Sequence, residues 1–573
     1  MAEKRSWDYL PDDCWELVVD RLNQQDHHTR HLKSVSLVCK RLLSMTNYRL
    51  SRLTINDPMI HVNRSVSGLL HRFHRLKHLD FVDFNGDLNR VILEIAASDL
   101  SLEALNLSKQ GRIPAESLKK LGMRMSKSLK ILICSRLLCL FGDVDLSAIA
   151  LSFPYLEELD ISYPQRSYIT DGGIKGLASS LRKLRKLNIS GNKGVSDHSL
   201  TIIVKKCEVL SEITALDCAH ITEDAISNVI RENPNIVSLT LSGNRRFASV
   251  PTLPINTSCW CAKALRVFIL SGMTISDKLL LSIEEANIPL QKLALAHCNG
   301  FTSSALSSLL SKYQSLKYLD LERSNFLTDR YMESLSPYFQ NLTFISVNSC
   351  SKLTVHTFYT LATNCFDLEE IQMERTGLGN ETSPVVLTKN SKIRSLKIAG
   401  NISLHDETLT KLVSVCPNLI SLDVSHCFNI TEHGIKESGR TCSKIRELKV
   451  NSCLQVKIIG TLEFPKLEVL QARRSGINDE ELSRIGRYCT ELLCLDLEGC
   501  FTVSDRGLKE VVGKCKRLRE LNLKDCRRVN VYIADWMVLS RPSLRKIILT
   551  PGFDLTEKRK DLYWGLGCMI YNS

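Results

Sequence analysis

Three cysteines, Cys500, Cys515 and Cys526, stand 15 and then 11 residues apart near the end of a 573-residue chain that holds 21 cysteines. Thiols at repeated spacings raise two chemistries, a zinc site and a disulfide framework. Zinc requires four ligands converging tetrahedrally, and a disulfide requires an oxidising compartment. Neither pattern is met. "CWC" at Cys259–Cys261 has no second pair nearby, and His27, His28 and His31 lie in a polar stretch without a carboxylate–thiol set. The sequence also lacks a phosphate-binding Gly-rich loop, a His-Glu-x-x-His pair and a nucleophile elbow. No catalytic residue, no metal and no cofactor is therefore expected, and the cysteines need another explanation.

That explanation is a repeat. Leu-x-x-Leu-x-Leu, with Ile, Val or Phe sometimes substituting, recurs with its first apolar residue at Leu50, Leu76, Leu102, Leu129, Leu156, Leu184, Ile213, Ile236, Leu265 and Leu290. It continues at Leu316, Leu342, Leu368, Ile393, Leu419, Ile445, Leu467, Leu492, Leu518 and Leu544, a mean step of 26.0 residues. Alternating apolar residues make a short strand with one buried face. Ser/Thr followed by Asp/Glu comes next, as in "ITD" at Ile169, "VSD" at Val195, "ISD" at Ile275, "LTD" at Leu327, "ITE" at Ile430 and "VSD" at Val503. A hydroxyl cap with an acid in the first turn starts a helix. A unit of strand, loop and helix of this length is a leucine-rich repeat. One unit cannot bury its own core; stacking does. The expected fold is α/β, a curved horseshoe solenoid of 19–20 units over residues 47–550, with parallel inner strands and outer helices, closed by a C-terminal cap at 551–573.

The phase then places the thiols. Cys298, Cys350, Cys427, Cys453, Cys500 and Cys526 fall eight residues after the first Leu, where Asn192, Asn244 and Asn401 stand in other repeats. That inward position satisfies backbone groups in the turn leaving the strand. Cys365, Cys416, Cys442, Cys489 and Cys515 fall three residues before it, as small buried hydrophobes. Paired acids such as Glu157-Glu158 and Glu369-Glu370 read as outward scaffold positions. Two units break the pattern with Pro and Gly, Arg245–Trp260 and Thr376–Lys392.

Composition sets the compartment. The chain is 44% hydrophobic with a formal net charge of +13, an ordinary globular balance whose basic excess reads as solvated surface. "MAEKRSWDYLPDDCW" has no apolar signal region, and the apolar run 131–141 is broken by Arg136. Cytoplasm, nucleus or both are expected, with no membrane and no nucleic-acid partner.

Before Leu50 the period is absent. "LPDDCWELVVDRLNQQDHHTRHLKSVSLVCKRLLSMT" reads as two or three short helices, too little core to stand alone. Leu10-Pro11, the acidic Asp12-Asp13, the apolar helix through Leu22 and "SLVCKRL" at Ser36–Leu42 resemble an F-box, assigned to residues 7–46. Together with cysteine-containing repeats the chain resembles the F-box/LRR family, and its plant members in length. The resemblance implies a substrate-recognition subunit of a Skp-cullin-F-box ubiquitin ligase, not itself an enzyme. It would recruit target proteins for ubiquitination and proteasomal degradation. The implied contacts to a Skp-type adaptor, and through it to a cullin, are Leu10, Pro11, Leu17, Leu37, Val38 and Cys39. Alternatives of the same architecture are a small-molecule-dependent co-receptor and a non-ligase interaction scaffold.

A solenoid binds on its inner strand face. The phase exposes Asp80, Asn106, Asp160, Asn188 and Asp217 there in the first half. In the second half it exposes Tyr318, Arg323, Phe344, Arg375, Lys397, Lys449, Arg473, Arg474 and Lys524. These nine are the candidate substrate-binding residues. Their basic content fits an acidic or phosphorylated segment, or a small polyanion.

Overall fold

A computed structural model describes residues 11–25, 32, 35–56, 66–82, 84, 86–243, 261–380, 388–456, 464–530, 532–550 and 556–572. The chain forms two compact units, Met1–Pro289 and Leu290–Ser573. Among the described residues no helix is long and apolar enough to cross a membrane.

The described residues at the start of the first unit include the helices α1 (Asp12–Gln25) and α2 (Lys40–Arg49). The parallel strands Arg52–Asn56, His78–Val82, Ala104–Asn106, Ile131–Ile133 and Glu158–Asp160 follow in sheet order. Lys186–Asn188, Glu212–Ala215, Ser238–Ser242 and Val267–Ser271 continue it. Leu140–Gly142 and Arg166–Tyr168 make a separate parallel pair. In the second unit twelve described strands run in parallel order from Lys292–Ala296 to Met569–Asn572. The central strand residue is buried and its two neighbours half-buried in most repeats. This is the α/β leucine-rich-repeat architecture that the 26-residue period demands.

Register corrects one phase. Leu187 pairs with Ile213, and Leu184 has its equivalent three residues earlier, at Leu210. Ile213 is thus the buried strand centre and not the first apolar residue of its repeat. Two facts then fall into place. Cys207 joins the row three residues before the first Leu, and Cys218 joins the row eight after it. The residues set apart as a cap also continue the array. Glu557–Gly565 is a helix, and Met569–Asn572 pairs in parallel with Lys546–Leu549.

All six hydroxyl–acid starts cap helices. Thr170, Ser196, Ser276, Thr328, Thr431 and Ser504 each accept a backbone N–H from the first turn. The acid next to the cap does more than meet the helix dipole: it reaches the cap of the following repeat. The Thr222 N–H and hydroxyl both donate to Asp197, at 2.7 and 2.6 Å. The same pair of bonds joins Thr170 to Asp143, Thr354 to Asp329, Thr431 to Asp406 and Ser504 to Asp479. The residue three after the cap is shaped by this carboxylate. In several repeats it is a hydroxyl that donates to it, as in Ser199 to Asp171 and Thr357 to Asp329, or a glycine that leaves room; after Thr222 it is Ala225. A Cβ on Gly434 or Gly507 would come within 2.4 Å of an Asp406 oxygen or 2.5 Å of an Asp479 oxygen.

Where repeats lose their helix, the ladder adapts. No helix is described between Glu232 and Asp277, and Arg245–Trp260, with Asn244, lies outside the described residues. There Glu223, one methylene longer than Asp, takes the Ser276 N–H at 2.8 Å and its hydroxyl at 2.6 Å, 53 residues on. Thr376–Lys392, described except for 381–387, likewise has no helix among its described residues. The 22-residue step from Ile445 to Leu467 is a third such unit, with no helix between Thr441 and Asp479 among the described residues.

Replacing Asp406 by Ala removes two hydrogen bonds to one cap. Urea denaturation should show a loss of about 1–2 kcal/mol. Gly434→Ala should be destabilising alone but less so in the Asp406→Ala background, because the clashing carboxylate is gone. Strict additivity in this double-mutant cycle would refute the coupling.

Candidate functional site

Two surfaces hold the candidate residues. The first is the helical pair at the N-terminus. Cys39 caps α2, its sulfur accepting the Leu42 N–H at 3.5 Å. Charges clamp α1 to α2. The Arg41 Nε donates to Asp12 at 2.6 Å, and Arg49 bonds Asp20 at 2.7 Å as well as Glu16. The Asp12–Arg41 contact brings the Pro11 end of α1 beside the Leu37–Cys39 segment. Val19, Leu32 and Leu42 are buried. Leu17 and Leu37, in contrast, are 70% and 78% exposed, and Val18 and Val38 are also open to water. Pro11 is exposed and Cys39 half-buried. Leu10, His27, His28 and His31 lie outside the described residues. Val18 and Val38, although apolar, thus face solvent beside Leu17 and Leu37.

The second surface is the inner strand face of the second unit. Tyr318 and Phe344 occupy paired positions on adjacent strands. Their rings stack, centroids 4.1 Å apart and parallel within 1°, with Lys292 Nζ 4.6 Å from the Tyr318 ring centroid. Burial pushes the Tyr318 hydroxyl pKa up.

The basic residues of this face do not form an open positive field. Lys397 bonds Glu370 at 2.7 Å, and Lys449 lies 3.1 Å from Glu447. Arg473 meets Asp496 at 2.8 Å and Glu498 at 3.6 Å. Arg323 reaches the His297 ring at 3.5 Å. Glu370 pairs in register with Phe344, so it shares the inner face. Glu158 does the same in the first unit. The sequence pattern reads both as outward positions; the strand starts at these residues, and the period of two puts its first and third side chains on one side. Burial, then the nearby Asp423, raises the Glu374 carboxyl pKa. Arg375, Arg474 and Lys524 remain without a carboxylate in ion-pair range among the described residues. In the first unit the Tyr163 hydroxyl donates to Asp217 at 2.9 Å; Asp80, Asn106, Asp160 and Asn188 are half-buried strand residues.

Arg323, Arg375 and Arg474 share one backbone device. The residue seven after the first Leu has φ between 49° and 70° in every repeat from His297 to Asp525. This left-handed residue turns the chain so that the next side chain points inward. Gly400 and Gly499 take the position next to Arg375 and Arg474, whose side chains lie over them; an added Cβ would meet each arginine stem at 2.8 Å.

The next side chain is the Cys/Asn row, and its role is structural. The thiols of Cys427, Cys453 and Cys526 donate to the carbonyls of Ile398, Val424 and Leu497 at 3.4, 3.2 and 3.1 Å. Asn401 donates to Met373 and Ile398 at 2.8 Å each. At the helix-to-strand return, Cys442 bonds the carbonyls of Val413 and Cys416, and Cys515 that of Cys489. Burial pushes the pKa of Cys427 and Cys526 to about 12 and those of Cys442 and Cys515 to about 11. Cys14 and Cys261 are exposed, and Cys259 lies outside the described residues.

No family model matches the chain. It is 28% identical over 223 residues to F-box/LRR-repeat protein 4 of Bos taurus, covering 38% of this chain and 33% of that protein. It is 25% identical over 347 residues to F-box protein FBX14 of Arabidopsis thaliana, covering 52% and 51%. The chain is thus similar to F-box/LRR-repeat proteins over part of their length. With Coronatine-insensitive protein homolog 1a of Oryza sativa the chain shares 24% identity over 412 residues, 55% of this chain and 67% of that one. It spans between a third and two-thirds of the length of these relatives. A yeast Rad7–Elc1 crystal structure aligns with 71% of this chain and 89% of that one at 15% identity and a TM-score of 0.40.

The thiol assignment is testable by labelling. At pH 8 a maleimide should modify Cys14 and Cys261 of the folded protein, whereas Cys427, Cys453, Cys500 and Cys526 should react only after unfolding. Modification of a row cysteine at the rate of Cys261, read by peptide mass spectrometry, would overturn it.

Proposed function

We propose that this F-box/LRR-type chain is the substrate-recognition subunit of a Skp-cullin-F-box ubiquitin ligase, acting in the cytoplasm or nucleus. One observation carries the reading. Leu17, Val18, Leu37 and Val38 leave large apolar side chains in water on a helical unit that buries only Val19, Leu32 and Leu42 among its larger aliphatic side chains described as buried. So small a unit gains by covering such a surface with a partner. Pro11 and the Leu37–Cys39 segment lie at one end of the pair, where Arg41 bonds Asp12. The stack beyond it provides a surface for the protein to be ubiquitinated. Such a receptor needs no catalytic residue. It raises the local concentration of substrate at the conjugating machinery and holds it in position.

Co-expression with a Skp-type adaptor tests this. Wild type should co-purify with the adaptor at equal stoichiometry. Leu37→Asp/Val38→Asp should lose at least about tenfold in affinity, as expected for a central apolar contact, with an unchanged melting temperature. Wild type that captures no adaptor, or a variant that captures as well as wild type, would refute the proposal.

A further inference from the structure

Four large apolar side chains stand in solvent at one phase of the second unit. Ile402, Phe428, Leu454 and Phe501 each follow the buried Asn401, Cys427, Cys453 and Cys500. They are 66%, 50%, 64% and 53% exposed. The first three belong to successive repeats. The fourth comes after the Leu467 repeat, where Gly476 holds the phase. The parallel register of the strands from Ser395–Lys397 to Cys494–Asp496 puts these five positions in one line. The strands that carry them lie about 4.8 Å apart.

The repeat itself does not require this row. The same phase holds Asn299, Asn325, Ser351 and Arg527 in other repeats of the unit, and the stack forms there equally well. A single exposed apolar residue is unremarkable, but a contiguous row is the mark of an interaction surface. It lies along the loops past the strand ends, beyond the inner-face residues considered above.

Charge decides what fits it. At the Phe501 end the Arg527 guanidinium lies over the ring, 5.4 Å from its centroid. Arg474 lies over Gly499, two residues before Phe501. Arg528 adjoins Arg527, and its backbone bridges to Ser504 three residues beyond Phe501. All three arginines are exposed, and none has a carboxylate in ion-pair range among the described residues. Arg473, one residue from Arg474, is by contrast held by Asp496 and Glu498. Spacing decides the conformation. A helix repeats a face about every 5.4 Å, close to the row's interval, whereas a strand repeats one about every 6.8 Å.

We infer that this row is a docking ridge for an acidic amphipathic helix of a partner protein. Its apolar stripe lies along Ile402, Phe428, Leu454 and Phe501, with one large side chain over Gly476. Its carboxylates meet Arg474, Arg527 and Arg528. The inference rests on the receptor reading only in making that partner the protein to be ubiquitinated.

The test uses the full chain. A displayed library of helical peptides is selected on the wild type, and the enriched peptides are measured by fluorescence anisotropy. They should carry an apolar stripe with acidic residues at one end. Phe428→Ser/Leu454→Ser/Phe501→Ser should weaken them at least about tenfold. Arg474→Glu/Arg527→Glu/Arg528→Glu should weaken them and flatten their salt dependence. All six side chains are exposed, so melting temperatures should not move. Three results would overturn the inference: no enriched peptide, peptides that bind both variants as tightly as wild type, or a wild-type dimer in sedimentation velocity that the serine variant dissolves, which would assign the ridge to a second copy. Adaptor capture measured on the same preparations separates failure of the ridge from failure of the receptor reading.

Discussion

The array depends on a carboxylate shared between neighbouring repeats. Each helix start leaves backbone N–H groups without intrahelical partners. A Ser or Thr cap satisfies one of them, and the Asp beside the previous cap takes the N–H and hydroxyl of the cap residue itself. Asp197 with Thr222 and Asp479 with Ser504 show the geometry. A side chain that serves both its own helix dipole and the next repeat's cap makes each unit a condition for its neighbour. This is the local basis of nearest-neighbour coupling in a solenoid. The same carboxylate dictates Gly434 and Gly507, which no helix propensity would select. It also explains how Glu223 ties Ser276 across a unit that contributes no described helix.

A second interlock lies at the other end of each strand. The left-handed residue turns the chain, and the Cys or Asn after it donates to carbonyls on two turns. Cysteine suits the slot because it is small, apolar enough to bury and still a weak donor. Burial that raises its pKa also removes its nucleophilicity. Sulfur is therefore spent on architecture, and binding falls to side chains that the architecture leaves outside.

Those side chains divide the molecule's recognition into separate surfaces. The helical pair offers Leu17 and Leu37 to water, while on the inner face of the second unit Lys397, Lys449 and Arg473 are balanced by Glu370, Glu447 and Asp496. Unpaired positive charge gathers instead near Phe501, beside the exposed apolar row. Basic residue types at inward phases are thus a poor guide to a basic surface, because Lys397, Lys449 and Arg473 each meet an acid of the same or the next strand.

The sequence by itself determined the repeat, its strand–helix order, the six helix caps, the Cys/Asn row and the helical segment before Leu50. These follow from local periodicity and cap chemistry, which are written in consecutive residues. Only the tertiary structure decided the rest. Strand register moved the phase from Ile213 to Leu210 and brought Cys207 and Cys218 into their rows. Side-chain pairing neutralised Lys397 and Arg473 across neighbouring repeats and Lys449 within its own strand. Packing left Val18, Val38 and the row from Ile402 to Phe501 in solvent, although hydrophobicity alone would bury them. Most of these depend on what lies one repeat away in space, about 26 residues off in sequence, and a linear pattern does not state which neighbour covers a given face.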